Sequence, residues 1–141
     1  DVYKRQDLIV TAGGKNVSPG PLEDIMRSDP LISQAVVVGD GRPFVSLLVT
    51  IDEDELRRWQ ADNGLGDRPL KELVKTTELR AAVQNVVNEA NKTVSHAEQI
   101  KKFRILTRDL SEEEGEITPT LKVKRKVVME NFEKQIERMY R

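Results

Sequence analysis

A chain of 141 residues, 38% hydrophobic and 33% charged, is the size of one ordinary domain and reads as a folded, highly charged globular unit, neither disordered nor membrane-spanning. Lys plus Arg (23) nearly balance Asp plus Glu (24), so no global field argues for nucleic acid or anionic lipid, and any basic site must be local. The absence of cysteine excludes disulfides and thiolate chemistry, and a single histidine leaves no His cluster for zinc.

In chain order, residues 7–11 (DLIVT) form a short apolar run expected to be a strand, broken by Gly13 and Gly14. Ser18 before Pro19 gives a helix start, with an N-cap hydroxyl and a proline at the first helical position. Leu22, Ile25 and Met26 share one face of that helix, which Pro30 has to stop. Two β-rich runs, 32–38 and 44–51, flank Gly39-Asp40-Gly41-Arg42 and predict a hairpin with a four- to five-residue turn. Asp52 and Glu55 have the spacing of a capping box, opening a helix that stops at Asn63-Gly64. A short helical turn is expected over 70–74. Leu79, Val83, Val86, Ala90 and Val94 then repeat at helical spacing and predict an amphipathic helix over 77–94.

Residues 100–106 suggest a further strand, and the polar, acidic stretch 111–120 a loop. Val128, Phe132, Ile136 and Met139 mark one C-terminal helix, with Glu130 and Lys134 paired at i,i+4. The sum is an α+β domain, a short hairpin or sheet packed by three to four helices. No apolar run approaches the ~20 residues that span a bilayer and no secretory leader is visible, so a cytoplasmic setting is the expectation. The chain opens on Asp1, in mid-phrase, and reads as a piece of something longer.

Two stretches carry candidate chemistry. In 11–19 (TAGGKNVSP), Gly13 and Gly14 let the backbone approach a ligand and expose its N–H groups, Lys15 adds charge, and a helix N-terminus follows. An anionic or narrow, extended ligand would suit it; so would a plain strand-to-helix turn with glycine at positive φ. The spacing is neither a phosphate loop nor a dinucleotide fingerprint. In 117–126 (ITPTLKVKRK), Lys122, Lys124, Arg125 and Lys126 crowd a helix start, where cations oppose the macrodipole. Behind the proline-stiffened turn at Pro119, Lys122 can be delivered to a remote phosphate or carboxylate as a point charge. Read blandly, the run is a solvated helix start whose Lys124, Arg125 and Lys126 only keep the last helix soluble. Glu112 to Glu114 lack metal-ligand spacing, while His96 and Trp59 read as structural.

Taken together and in this order, DLIVTAGGKNVSPGPLE and ITPTLKVKRKVV resemble the C-terminal lid domain of the adenylate-forming (AMP-binding) enzymes. With SHAEQIKKFRIL and the long helix before it, the variants are most similar to bacterial long-chain fatty acyl-CoA synthetases. The resemblance covers 7–141. It implies a ligase that converts ATP, fatty acid and CoA to acyl-CoA, AMP and pyrophosphate. Its large N-terminal domain would bind ATP, Mg²⁺ and the acyl chain, and this small domain would swing between two poses. It further implies Lys122 as the adenylation lysine, and Gly13 and Gly14 as the loop flanking the pantetheine arm of CoA, with Lys15 near the coenzyme's phosphates. No nucleic acid is expected as a partner, and peripheral membrane association of the full-length enzyme is compatible with the family.

The family's hinge, Gly-Arg-x-Lys-Asp or similar, is not matched. Residues 1–6 read DVYKRQ, Gln6 stands at the pivot position, and the segment reads as non-native or a hinge-region remnant. Thr120-Leu121-Lys122 replaces the Ser-Gly-Lys of many relatives, as is normal for the long-chain subgroup. Two alternatives stay open: a lid for a ligase of a different carboxylic acid, and a non-catalytic basic binding module.

Overall fold

The structure, a computed structural model, describes residues 8–141, so the hinge position Gln6 and the 1–6 boundary lie outside the described residues. A two-stranded antiparallel hairpin, β1 (Ile9–Val10) and β2 (Asn16–Val17), leads into helix α1 (Pro19–Arg27). Strands β3 (Ile32–Val38) and β4 (Val45–Ile51) pair antiparallel, followed by helices α2 (Glu53–Asp62), α3 (Leu70–Leu73) and α4 (Thr77–Asn91). A 3-10 turn (His96–Glu98) precedes β5 (Ile100–Ile105), and α5 (Arg125–Asn131) and α6 (Glu133–Met139) close the chain. The main sheet has the order β3-β4-β5, with β5 parallel to β4.

Every residue of β4 is buried, because helices cover both faces of the central strand. One core holds Val37, Leu47, Val49 and Phe103 against Leu22 and Met26 of α1 and Leu79, Val83 and Val87 of α4. The other holds Val36, Val38, Leu48 and Leu106 against Val128, Phe132, Ile136 and Met139. The strand alternation of the sequence is thus split between two cores, giving a three-layer α+β domain.

Several local expectations change in detail. Pro19 opens α1, but the Ser18 hydroxyl makes no capping hydrogen bond. Residues 39–44 form a six-residue connection between β3 and β4, longer than expected, as Pro43 lacks an N–H for the ladder and Phe44 turns out against the Tyr140 ring, centroids 4.8 Å apart. At α2 the Asp52 carboxylate accepts from the Glu55 N–H (3.0 Å), but the Glu55 carboxylate goes to Arg58, so only half the box forms. Helix α4 ends at Asn91, three residues before Val94, because the Asn91 side chain leaves the helix to bond both the N–H and the C=O of Ile100. The single C-terminal helix is two, broken at Phe132 (φ −112, ψ 24). Phe132 N–H still donates to Val128 C=O and Ile136 N–H to Phe132 C=O, so the break is a kink, and all four apolar residues stay in one core.

Candidate functional site: a lysine loop tied at both feet

Lys122 sits on a tight loop closed by the Ile117↔Val123 bridge. Thr118 N–H donates to Lys122 C=O (2.9 Å), Leu121 N–H to Thr118 C=O (2.8 Å), and Lys122 N–H to the Thr118 hydroxyl (3.1 Å). Leu121 adopts φ +65, the one non-glycine residue with positive φ among the described residues, and the residue is 63% exposed. A leucine in that region is strained, and glycine is the residue that adopts it without cost.

Each foot of the loop is fixed by an ion pair whose carboxylate is buried. On the entering side Glu116, with no exposed surface, takes two hydrogen bonds from Arg108 (both 2.7 Å), one from the Asn131 amide (2.9 Å) and one from Ser111 N–H (3.1 Å). Burial alone pushes the Glu116 carboxyl up, but Arg108, Asn131 and Ser111 N–H together hold it below the ordinary carboxylate range. Hydrogen bonding to Glu116 correspondingly raises Arg108, which also lies 4.8 Å from the Phe132 ring centroid. On the leaving side Arg125 reaches Glu23 of α1 with both terminal nitrogens (2.7 and 3.0 Å) and donates to Val37 C=O (2.8 Å), while Glu23 also accepts from Val37 N–H (2.8 Å). The loop is thereby bolted to α1 and β3 directly behind the lysine.

Arg125 corrects the bland reading of the 124–126 cations, since it is a half-buried anchor and Glu23 supplies the counter-charge that a cation at a helix start needs. The signal was present. Pro19, Leu22, Glu23 and Met26 form one helical stripe, and a glutamate in a core stripe calls for a cationic partner. Glu116 carries no such periodic signal and looked like one more acid in a polar loop.

Around Lys122 lies an open groove of about 550 Å³ lined by Glu23, Arg27, Ser33, Gln34, Val123 and Arg125. Within it Glu23 is paired with Arg125, and Arg27 with Asp24 of the same helix. Gly13, Gly14 and Lys15 are elsewhere, on the exposed β1–β2 turn, where Gly14 N–H donates to Thr11 C=O and Lys15 N–H to the Thr11 hydroxyl. Gly14 has φ +83, and a Cβ built on Gly13 or Gly14 would meet nothing within 4 Å. The hairpin is moored to the β3–β4 turn by Ala12 N–H to Arg42 C=O and Gly41 N–H to Val10 C=O. The structure brings Gly13, Gly14 and Lys15 together and places Lys122 in a groove none of them lines. Among the described residues no group of three or more His, Asp or Glu is placed to hold a metal ion.

With this geometry in view, the sequence matches the AMP-binding enzyme C-terminal domain family over residues 6–141. The chain belongs to that family. It is 50% identical over 138 residues to the long-chain-fatty-acid–CoA ligase FadD15 of Mycobacterium tuberculosis, covering 97% of this chain and 23% of the relative. It is 37% identical over 153 residues to the long-chain-fatty-acid–CoA ligase ACSBG2 of Xenopus laevis, covering 96% and 21%. The chain thus spans under a quarter of the length of these curated relatives. Among solved structures, the adenylation domain of a carboxylate reductase from Mycobacterium chelonae aligns with a TM-score of 0.74 at 21% identity, over 96% of this chain and 20% of that one. A fatty acyl CoA synthetase of Mycobacterium tuberculosis aligns at 0.55 and 18%, over 92% and 20%. These structural likenesses establish the AMP-binding C-terminal fold.

Proposed function

We propose that this domain serves a long-chain fatty acid–CoA ligase, in which ATP and a fatty acid form an acyl-adenylate and pyrophosphate, and the CoA thiol then displaces AMP. The observation that carries the reading is the doubly anchored loop presenting Lys122 beside an open groove, in a chain 50% identical to a long-chain ligase. During adenylation the Lys122 ammonium lies between the fatty carboxylate and the α-phosphate, where it stabilises negative charge as it redistributes. A preorganised cation of this kind is worth on the order of 10²–10³ in rate.

In the second half-reaction the Gly13 and Gly14 turn lines the pantetheine arm, offering a wall without side chains, and Lys15 approaches the coenzyme's phosphates. ATP, the acyl chain and Mg²⁺ fall to the N-terminal domain, this domain's partner in the full-length enzyme. In that setting Gln6 occupies the hinge position, and the enzyme works in the cytoplasm with peripheral contact to the membrane that supplies its substrate.

The test is Lys122→Ala in the full-length enzyme. Adenylate formation, read as pyrophosphate release, is expected to fall by about 10²–10³ while thioester formation from supplied acyl-adenylate is retained. Near-normal adenylation would refute the role of Lys122, and a substrate panel that favours another carboxylic acid would refute the long-chain assignment.

A further inference from the structure

A second charged feature lies away from Lys122 and from the glycine turn. β5 is the edge of the main sheet, hydrogen-bonded to β4 on one side and to no strand on the other among the described residues. Along this open edge runs a groove of about 380 Å³, bounded by Arg80 and Gln84 of α4, by 101–104 of β5, and by Arg138 and Met139 of α6. Strand alternation puts Lys101 on the α4 face with Arg80, and Lys102 and Arg104 on the α6 face with Arg138, so cations flank the edge on both sides.

None of these five cations lies within 4.0 Å of a carboxylate among the described residues, although seven ion pairs form elsewhere. Three are held in place by other means. The Arg80 guanidinium is 5.0 Å from the Phe103 ring centroid, Lys102 Nζ is 5.6 Å from that of Phe44, and Lys101 Nζ donates to His96 C=O (3.0 Å). In a chain of net charge −1 this is a concentrated positive field along a strand edge that no other strand covers among the described residues.

We infer that the β5 edge groove is a docking site for a protein partner that presents an acidic segment in extended conformation, added as a fourth strand to β3-β4-β5. Cations on an edge strand block pairing with a second copy by like-charge repulsion, and the same cations select an acidic strand. Ile100 is already capped by the Asn91 side chain, so backbone pairing along 101–105 supplies affinity, and the flanking cations supply choice of partner and encounter rate. A lipid surface fits less well. Among the described residues the exposed large hydrophobic ones, Leu8, Val10, Leu121 and Met129, all lie outside this groove, and a bilayer cannot pair a strand edge.

The test is NMR titration of the isotope-labelled 141-residue chain with a capped peptide Glu-Glu-Val-Glu-Glu-Val, its Lys-for-Glu counterpart, and phosphatidylglycerol–phosphatidylcholine vesicles. Expected are amide shifts concentrated on 100–105 with the acidic peptide only. Charge reversal by Lys101→Glu with Lys102→Glu, at two exposed positions, should weaken the acidic peptide by about tenfold and transfer binding to the basic one. Trp59 fluorescence confirms that the variant is folded. Unchanged acidic-peptide affinity in that variant, shifts away from β5, or binding to the vesicles but not the peptide would each overturn the inference.

Discussion

Arg125→Ala tests whether the lysine loop is held by a buried charge pair. In the native fold Glu23 is 9% exposed at its side chain and accepts from Arg125 twice and from Val37 N–H once. Truncating Arg125 leaves that carboxylate buried with one backbone donor. Removing one partner of a buried pair costs about 3–5 kcal/mol, and the remaining Val37 N–H together with the 22% exposure of Arg125 put this case at the low end, ~3 kcal/mol. With a urea slope of about 2 kcal/mol/M for a small domain, the midpoint should fall by about 1.5 M, followed through the single Trp59. Replacing both partners with apolar residues, Glu23→Leu with Arg125→Met, should recover most of that loss because no charge is left stranded. In the full-length enzyme the same double variant is expected to remain folded yet lose adenylation, since the loop has lost its bolt. A midpoint for Arg125→Ala within 0.3 M of wild type, roughly the resolution of such a measurement, would refute the reasoning.

Three further outcomes follow from the same geometry. Leu121→Gly should be neutral or stabilising by up to ~1 kcal/mol because it relieves φ +65, whereas Leu121→Val should be destabilising, and thermal unfolding that ranks them in the opposite order would exclude strain at this position. Glu116 is held below the ordinary carboxylate range, so its stabilisation is fully present above the unfolded-state value of about 4.3 and is lost as pH falls through the lower folded-state value. Urea unfolding between neutral and acid pH should therefore show a shallower acid limb in Glu116→Gln than in wild type. Gly13 has neither positive φ nor any neighbour within 4 Å of a built Cβ, so Gly13→Val should leave the unfolding midpoint nearly unchanged and adenylation intact, while thioester formation drops. Equal losses in both half-reactions would remove the glycine turn from the CoA step.

Where periodicity was strong the fold could be read directly. The α4 stripe, the β3–β4 hairpin and the apolar C-terminal positions all find their cores, since each repeats at the spacing its element requires. The parallel pairing of β5 with β4 was not legible, because alternation tells which face a side chain takes and nothing about strand direction. The kink at Phe132 has no proline or glycine to announce it. At the candidate site Lys122 and the glycine turn stood out by residue type and order, yet their fixtures did not. Glu23 and Arg125 are 102 residues apart, and Glu116 is buried by tertiary packing that no local pattern encodes.

The clamping of both loop feet also decides where motion has to reside. A loop closed by Thr118 and Lys122 and bolted to the rest of the domain at both feet has little freedom to reach for a substrate. Under the proposed reading Lys122 travels as the tip of a rigid lever, and its arrival is timed by rotation of the whole domain about the hinge. The positional entropy of the lysine is then spent at folding, before any substrate binds, and the tempo of adenylation is set at the fulcrum.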